Sequence, residues 1–162
     1  ARWFRKDEGC DAQFRGRFLA LHERAVAGAL DGWAATAQGA LALLILLDQF
    51  PGNAFRGSAR MYASDALAQR VARAALAQGL DVQVPPELRH FMYLPLMHSE
   101  NAADQELSVA KAAALGGEPH RFARHHRDTI ARFGRFPHRN ELLGRASTEE
   151  ERQFLALGRF SG

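Results

Sequence analysis

Residues 37–50, AQGALALLILLDQF, are apolar on every side of a helix between Ala40 and Leu47. A helix without a polar stripe has no face to offer water, so other elements must enclose it. Thr36 precedes the run as an N-cap. Pro51 is expected to stop it, because proline brings no N–H to the ladder and its ring crowds the carbonyl four residues back. The other periodic segments also repeat near 3.6 residues, and none alternates as a half-buried strand does. The expected fold class is all-α.

The remaining helices are bounded by local signals. Asp11 reads as the cap of a first helix that aligns Phe14, Phe18, Leu21 and Ala25 and ends at Gly28. A turn, LDGWAAT, leads to the apolar helix. Ser58 or Ser64 opens the segment ARMYASDALAQRVARAALAQG, with Gly79 past its end. Pro85 and Pro86 read as the start of a further helix that Pro95 breaks inside FMYLPLMHSE, just before His98. Helices are expected over 101–115 and 118–133, closed by Gly116, Gly117 and Gly134. A last one starts at Thr148, where Glu151 completes the spacing of a capping box. Seven or eight short helices of this kind make an array or bundle. No linker or shift in composition divides it, so residues 1–162 read as a single domain.

Composition narrows the function classes. No apolar run approaches the ~18 residues of a membrane span and the N-terminus is unlike a signal peptide, so a soluble protein without a membrane partner is expected. One cysteine, Cys10, cannot form an internal disulfide, which points to the cytoplasm. The net charge of +3 covers nineteen Arg and only two Lys. In the densest basic stretch, HRFARHHRDTIARFGR, helical spacing puts Arg121, Arg124, His125, Asp128 and Arg132 on one face. Phe122, His126, Ile130 and Phe133 fall on another. A nucleic-acid surface interleaves aromatics with cations; here they part, and an acid interrupts the arginines, so nucleic acid is not an expected partner.

Two loops echo each other. QFPGNAFRGSA and RFPHRNELLGRAS both set Phe-Pro after a helix, an Asn shortly after, and then Gly, Arg and Ser. With FMYLPLMHSENAADQELSV they form three motifs, LALLILLDQFPGNAFRG being the fuller form of the first. Together these resemble a bacterial family of unknown function, number 924 in the series of such domains. The resemblance runs from about Trp3 to Phe154. It implies an all-helical, tetratricopeptide-like fold and brings no established activity. The chain departs from the family pattern at Gly52, where an arginine is expected, and at Asn101, Ala102 and Ala103, where an acidic-hydrophobic pair is expected.

The polar residues of the three motifs sit at helix ends beside bulky apolar ones, where burial obliges them to pair. His98, Glu100 and His138 are candidate acid/base groups, because imidazole titrates near neutrality and a neighbouring carboxylate can orient it. Asp48, Gln49, Asn53, Arg56, Asp104, Gln105, Arg135, Arg139 and Asn140 are candidate ligand-binding residues. The basic members favour a small anionic molecule. The acids of the second motif are expected within reach of Arg135, His138, Arg139 or Asn140. No Gly-rich phosphate loop or dinucleotide fingerprint occurs, so no cofactor is expected. ELRH at 87–90 has the Glu-x-x-His spacing of di-iron bundles, but a single copy defines no metal site. Ser99 lacks a nucleophile elbow. The leading reading is a helical protein that binds a small anion, with acid/base chemistry available. The alternatives are a tetratricopeptide-like scaffold holding a peptide between helix pairs, and a metal-dependent enzyme using His98, Glu100, Asp104 and His138.

Overall fold

A computed structural model describes the backbone of residues 8–158 and the side chains of residues 16–158. The described residues form helices and turns and no strand. The protein is all-α, as its periodicity requires. Its contacts gather into two compact units that divide between His98 and Ser99. None of the described helices is long and apolar enough to cross a membrane.

The first unit begins with α1 (Glu8–Val26). Asp11 therefore lies inside the helix rather than at its cap; its side chain, with those of Cys10 and Phe14, falls outside the described residues. Gly28, at φ 78°, turns the chain beyond its end into a 3-10 segment, Asp31–Ala35. The next helix, α2 (Ala37–Leu44), is capped by Thr36, whose hydroxyl accepts the Gly39 N–H at 3.1 Å. Gly39 is required there, since a Cβ would lie 2.0 Å from the Trp33 carbonyl oxygen.

Pro51 does not stop this helix. The ladder widens into a π-turn over Ile45–Gln49 and resumes as α3 (Phe50–Ala54), with Pro51 in its first turn. Proline is tolerated because the widened turn withdraws the bonds it could not complete. Leu43, Leu46 and Leu47 form one buried cluster with Ala25, Leu30 and Ala68. Phe50, Ala54 and Phe55 form another, packed by Phe18 and Met61. The helix is enclosed, as its apolar surface demands.

Ser64 occupies the N-cap of α4 (Asp65–Ala77), yet its hydroxyl makes no cap bond. Gly79 closes that helix at φ 66°. Pro85 and Pro86 open a turn rather than an α-helix, and a 3-10 segment follows over Arg89–Met92. Pro95 breaks nothing: it sits in the first turn of α5 (Leu94–Met97), where an N–H would have no ladder partner. The break falls instead before Leu94. Buried Tyr93 donates its hydroxyl to Asp81 at 3.0 Å, and burial followed by the carboxylate pushes the phenol well above its ordinary range.

The second unit contains α6 (Ala102–Ala113), α7 (Gly117–Phe133) and α8 (Glu149–Ala156). Asn101 caps α6 through bonds from the N–H groups of Ala103 and Asp104. Gly134 ends α7 in the left-handed conformation. Ile130, Phe136 and Phe154 pack with Phe133. The expected apolar face of α7 is corrected at Phe122, which is exposed beneath the Arg121 guanidinium, while Ala123 and Thr129 are buried instead. The capping box at Thr148 and Glu151 is complete.

Candidate functional site

In the first unit, five of the residues singled out by sequence form one hydrogen-bonded run. His98, at the C-cap of α5, donates from Nδ1 to Asp48 Oδ1 at 2.7 Å. Gln49 Nε2 donates to the other carboxylate oxygen at 2.7 Å. Asn53 Nδ2 reaches back to the Gln49 carbonyl at 3.2 Å, and Arg56 donates to Asn53 Oδ1. The run grades from buried to exposed. The Asp48 side chain is 3% exposed and that of His98 28%, while Arg56 stands in solvent. A carboxylate withdrawn from water that holds one imidazole nitrogen fixes both the ring orientation and its tautomer.

Asp48 owes its position to the π-turn. Single π-turns inside α-helices occur frequently at functional sites, because the extra residue re-aims the side chains beside it. Glu100, the carboxylate expected to orient His98, is engaged elsewhere.

The second unit uses its polar residues differently. Glu100 accepts the Phe136 N–H at 2.7 Å and both terminal nitrogens of Arg145, at 2.7 and 3.0 Å. Burial pushes its carboxyl up, but the Arg145 guanidinium, the Phe136 N–H and the charges of Arg145 and Arg139 outweigh that and hold it below the usual range. Arg135 donates to both oxygens of Glu151, at 2.6 and 2.8 Å, and to the Ala146 carbonyl at 2.9 Å. The bonded Arg135 guanidinium brings Glu151 down to about 2 against the pull of burial, helped by the Thr148 N–H and Asn140. Asn140, 1% exposed, donates to Ser147 at 3.0 Å and to Glu151 at 3.3 Å.

Phe136 is the hub of this corner. Arg139 is buried with its guanidinium 4.8 Å from the Phe136 ring centre, and the half-buried His138 ring lies 5.7 Å away. Asp104 and Gln105 serve a neighbouring turn. Asp104 accepts the Ser99 hydroxyl at 2.6 Å, and Gln105 donates to the Ser99 carbonyl at 2.6 Å. The second-motif acid Glu100 meets the third motif through the Phe136 backbone and Arg145, and the positive charge of Arg139 also lowers its carboxyl.

Sequence reasoning missed Arg145 and Ser147, weighed Ser99 only as a nucleophile, and read Glu151 only as a cap. The adjacent Gly and Arg near the end of both echoed loops, Arg56-Gly57 and Gly144-Arg145, were the available signal for Arg145. Among the described residues no group of three or more His, Cys, Asp or Glu side chains could hold a metal ion.

No curated protein matches the chain. It is similar to a solved structure described as a protein of unknown function, ATU0120, from Agrobacterium tumefaciens. The two share 48% identity and a TM-score of 0.94, over 96% of this chain and 89% of that one. A family model described as a bacterial protein of unknown function, DUF924, matches residues 1–159, and the chain belongs to that family.

Proposed function

We propose that the protein binds a small anionic molecule at the polar run of its first unit, with His98 as the acid/base group and Asp48 as its orienting carboxylate. The observation that carries this reading is the 2.7 Å bond between a buried Asp48 and a partly exposed His98 on a π-turn. Arg56 supplies positive charge, His98 its second ring nitrogen, and Gln49 and Asn53 supply amides for orientation. On this reading Arg135, Asn140 and Glu100 hold a structural corner, since their bonds are directed to protein groups.

The test is thermal melting with a panel of di- and tricarboxylates, phosphate esters and sulfate, because a ligand bound only by the native state raises the melting temperature. At least one compound is expected to stabilise the wild type and to lose its effect in His98→Ala and Arg56→Ala, but not in Arg139→Ala. No stabilisation by any compound, or an effect lost only in Arg139→Ala, overturns the proposal.

A further inference from the structure

We propose that His22 and Ser64 are positioning residues for the His98–Asp48 pair, acting by clamping the backbone of the π-turn. This inference rests on the reading of that pair given above.

The clamp follows from what Pro51 removes. The Phe50 N–H bonds to the Ile45 carbonyl, so the Leu46 carbonyl loses its ordinary α-helical donor. Its next donor along the chain would be Pro51, which has no N–H. The Leu47 carbonyl would also take its α-helical bond from Pro51. Both carbonyls lie in buried chain, where an unmet acceptor is costly. Each receives a side chain from another element. His22 Nδ1, on α1, donates to the Leu46 oxygen at 2.8 Å, and Ser64 Oγ donates to the Leu47 oxygen at 2.6 Å.

These bonds bear directly on Asp48. The Leu47 carbonyl shares a peptide plane with the Asp48 N–H, so the Ser64 bond fixes one of the two planes that meet at the Asp48 Cα. The Leu46 carbonyl fixes the plane before it. Together they set the direction in which the Asp48 carboxylate leaves the helix toward His98.

Both donors forgo a simpler use. Ser64 stands at the N-cap of α4, where serine ordinarily accepts an N–H of the first turn, and its hydroxyl makes no such bond. His22 is buried against the rings of Phe50 and Phe55, at centroid distances of 5.0 and 5.8 Å, in surroundings that suit an apolar side chain. Its distinguishing contribution is the Nδ1–H.

The readout is the hydrogen-bonded Nδ1 proton of His98, observed by NMR in the intact chain labelled with 15N-histidine. The wild type is expected to show it and Asp48→Ala to lose it. Ser64→Ala and His22→Leu, which remove a donor and keep the side chain compact or apolar, should lose it as well. Ser64→Thr and His22→Asn, which keep a donor in place, should retain it. If His22→Leu fails to fold, the two Ser64 variants decide the question. Persistence of the proton in folded Ser64→Ala, or its loss in both donor-keeping variants, overturns the positioning role. Absence of the proton in the wild type, or its persistence in Asp48→Ala, overturns the acid/base pair itself and is a separate result.

Discussion

Phe50-Pro51 and Phe136-Pro137 are the same dipeptide, one within the apolar helix and the other just past the end of the basic α7, with both Phe rings fully buried, and their backbones diverge. Phe50 is helical, at φ −59° and ψ −49°, although a following proline disfavours that conformation. Phe136 is extended, at φ −90° and ψ 107°, as a following proline prefers. The helical case is held by neutral donors, His22 and Ser64, on the Leu46 and Leu47 carbonyls, neither of which can take a bond from Pro51. The extended case is held by charge, with Glu100 on the Phe136 N–H and Arg145 on its carbonyl. A Phe-Pro pair therefore does not encode its own geometry. The groups that arrive from elsewhere in the chain decide it.

Four substitutions and one titration sharpen that contrast. Leu47→Ala, at a fully buried position of the π-turn, should cost about 2 to 5 kcal/mol, read by urea denaturation. A loss below about 0.5 kcal/mol would show that the Phe50 region does not rest on packing. Glu151→Ala strands a guanidinium, a buried amide and the Thr148 N–H, and should cost about 2 to 4 kcal/mol in the same assay.

The charged corner should also weaken in acid. Glu151 has a folded value of about 2 against an ordinary 4.5, and Glu100 is likewise depressed. A depressed carboxyl contributes stability that is fully present above its unfolded value and is lost as pH falls through the folded one. Hydrogen exchange of the amides in 136–151 should therefore accelerate as pH drops from 4.5 toward 2, after correction for the intrinsic rate. Glu151→Gln should flatten that dependence, and a wild-type profile with no acid loss would break the contrast. The smallest effect is expected from Thr148→Ala, about 1 kcal/mol, since one capping bond is lost while the Arg135 pair remains. Thermal melts at neutral pH measure it.

What the sequence disclosed follows the same division between local and distant causes. The caps at Thr36 and Thr148, the stop at Gly134 and the enclosed leucines were all legible, because each depends on residues within a turn or on periodicity. The course of the chain through Pro51 was not, because the donors that permit it stand far along the chain at His22 and Ser64. The candidate site shows this most clearly. His98, Glu100 and Asp48 were recognisable by residue type, yet the pairing was not: His98 takes Asp48, fifty positions earlier, and Glu100 takes Arg145, forty-five positions later. Composition at helix ends identifies which side chains must find partners. It carries no information on which partner the fold delivers.

A π-turn holds one residue more than the α-turn it replaces, so Ile45–Gln49 is in effect an insertion written into the helix. Deleting any one residue of that stretch would leave the composition, the leucines and the proline nearly untouched. The turn could then close as an ordinary α-turn, with the helix on either side keeping its register. Leu43, Phe50 and Ala54 would stay in their buried clusters, whereas Asp48 would lose the extra residue that aims its carboxylate at His98. The number of residues between Thr36 and Pro51 thus specifies the candidate site rather than the core.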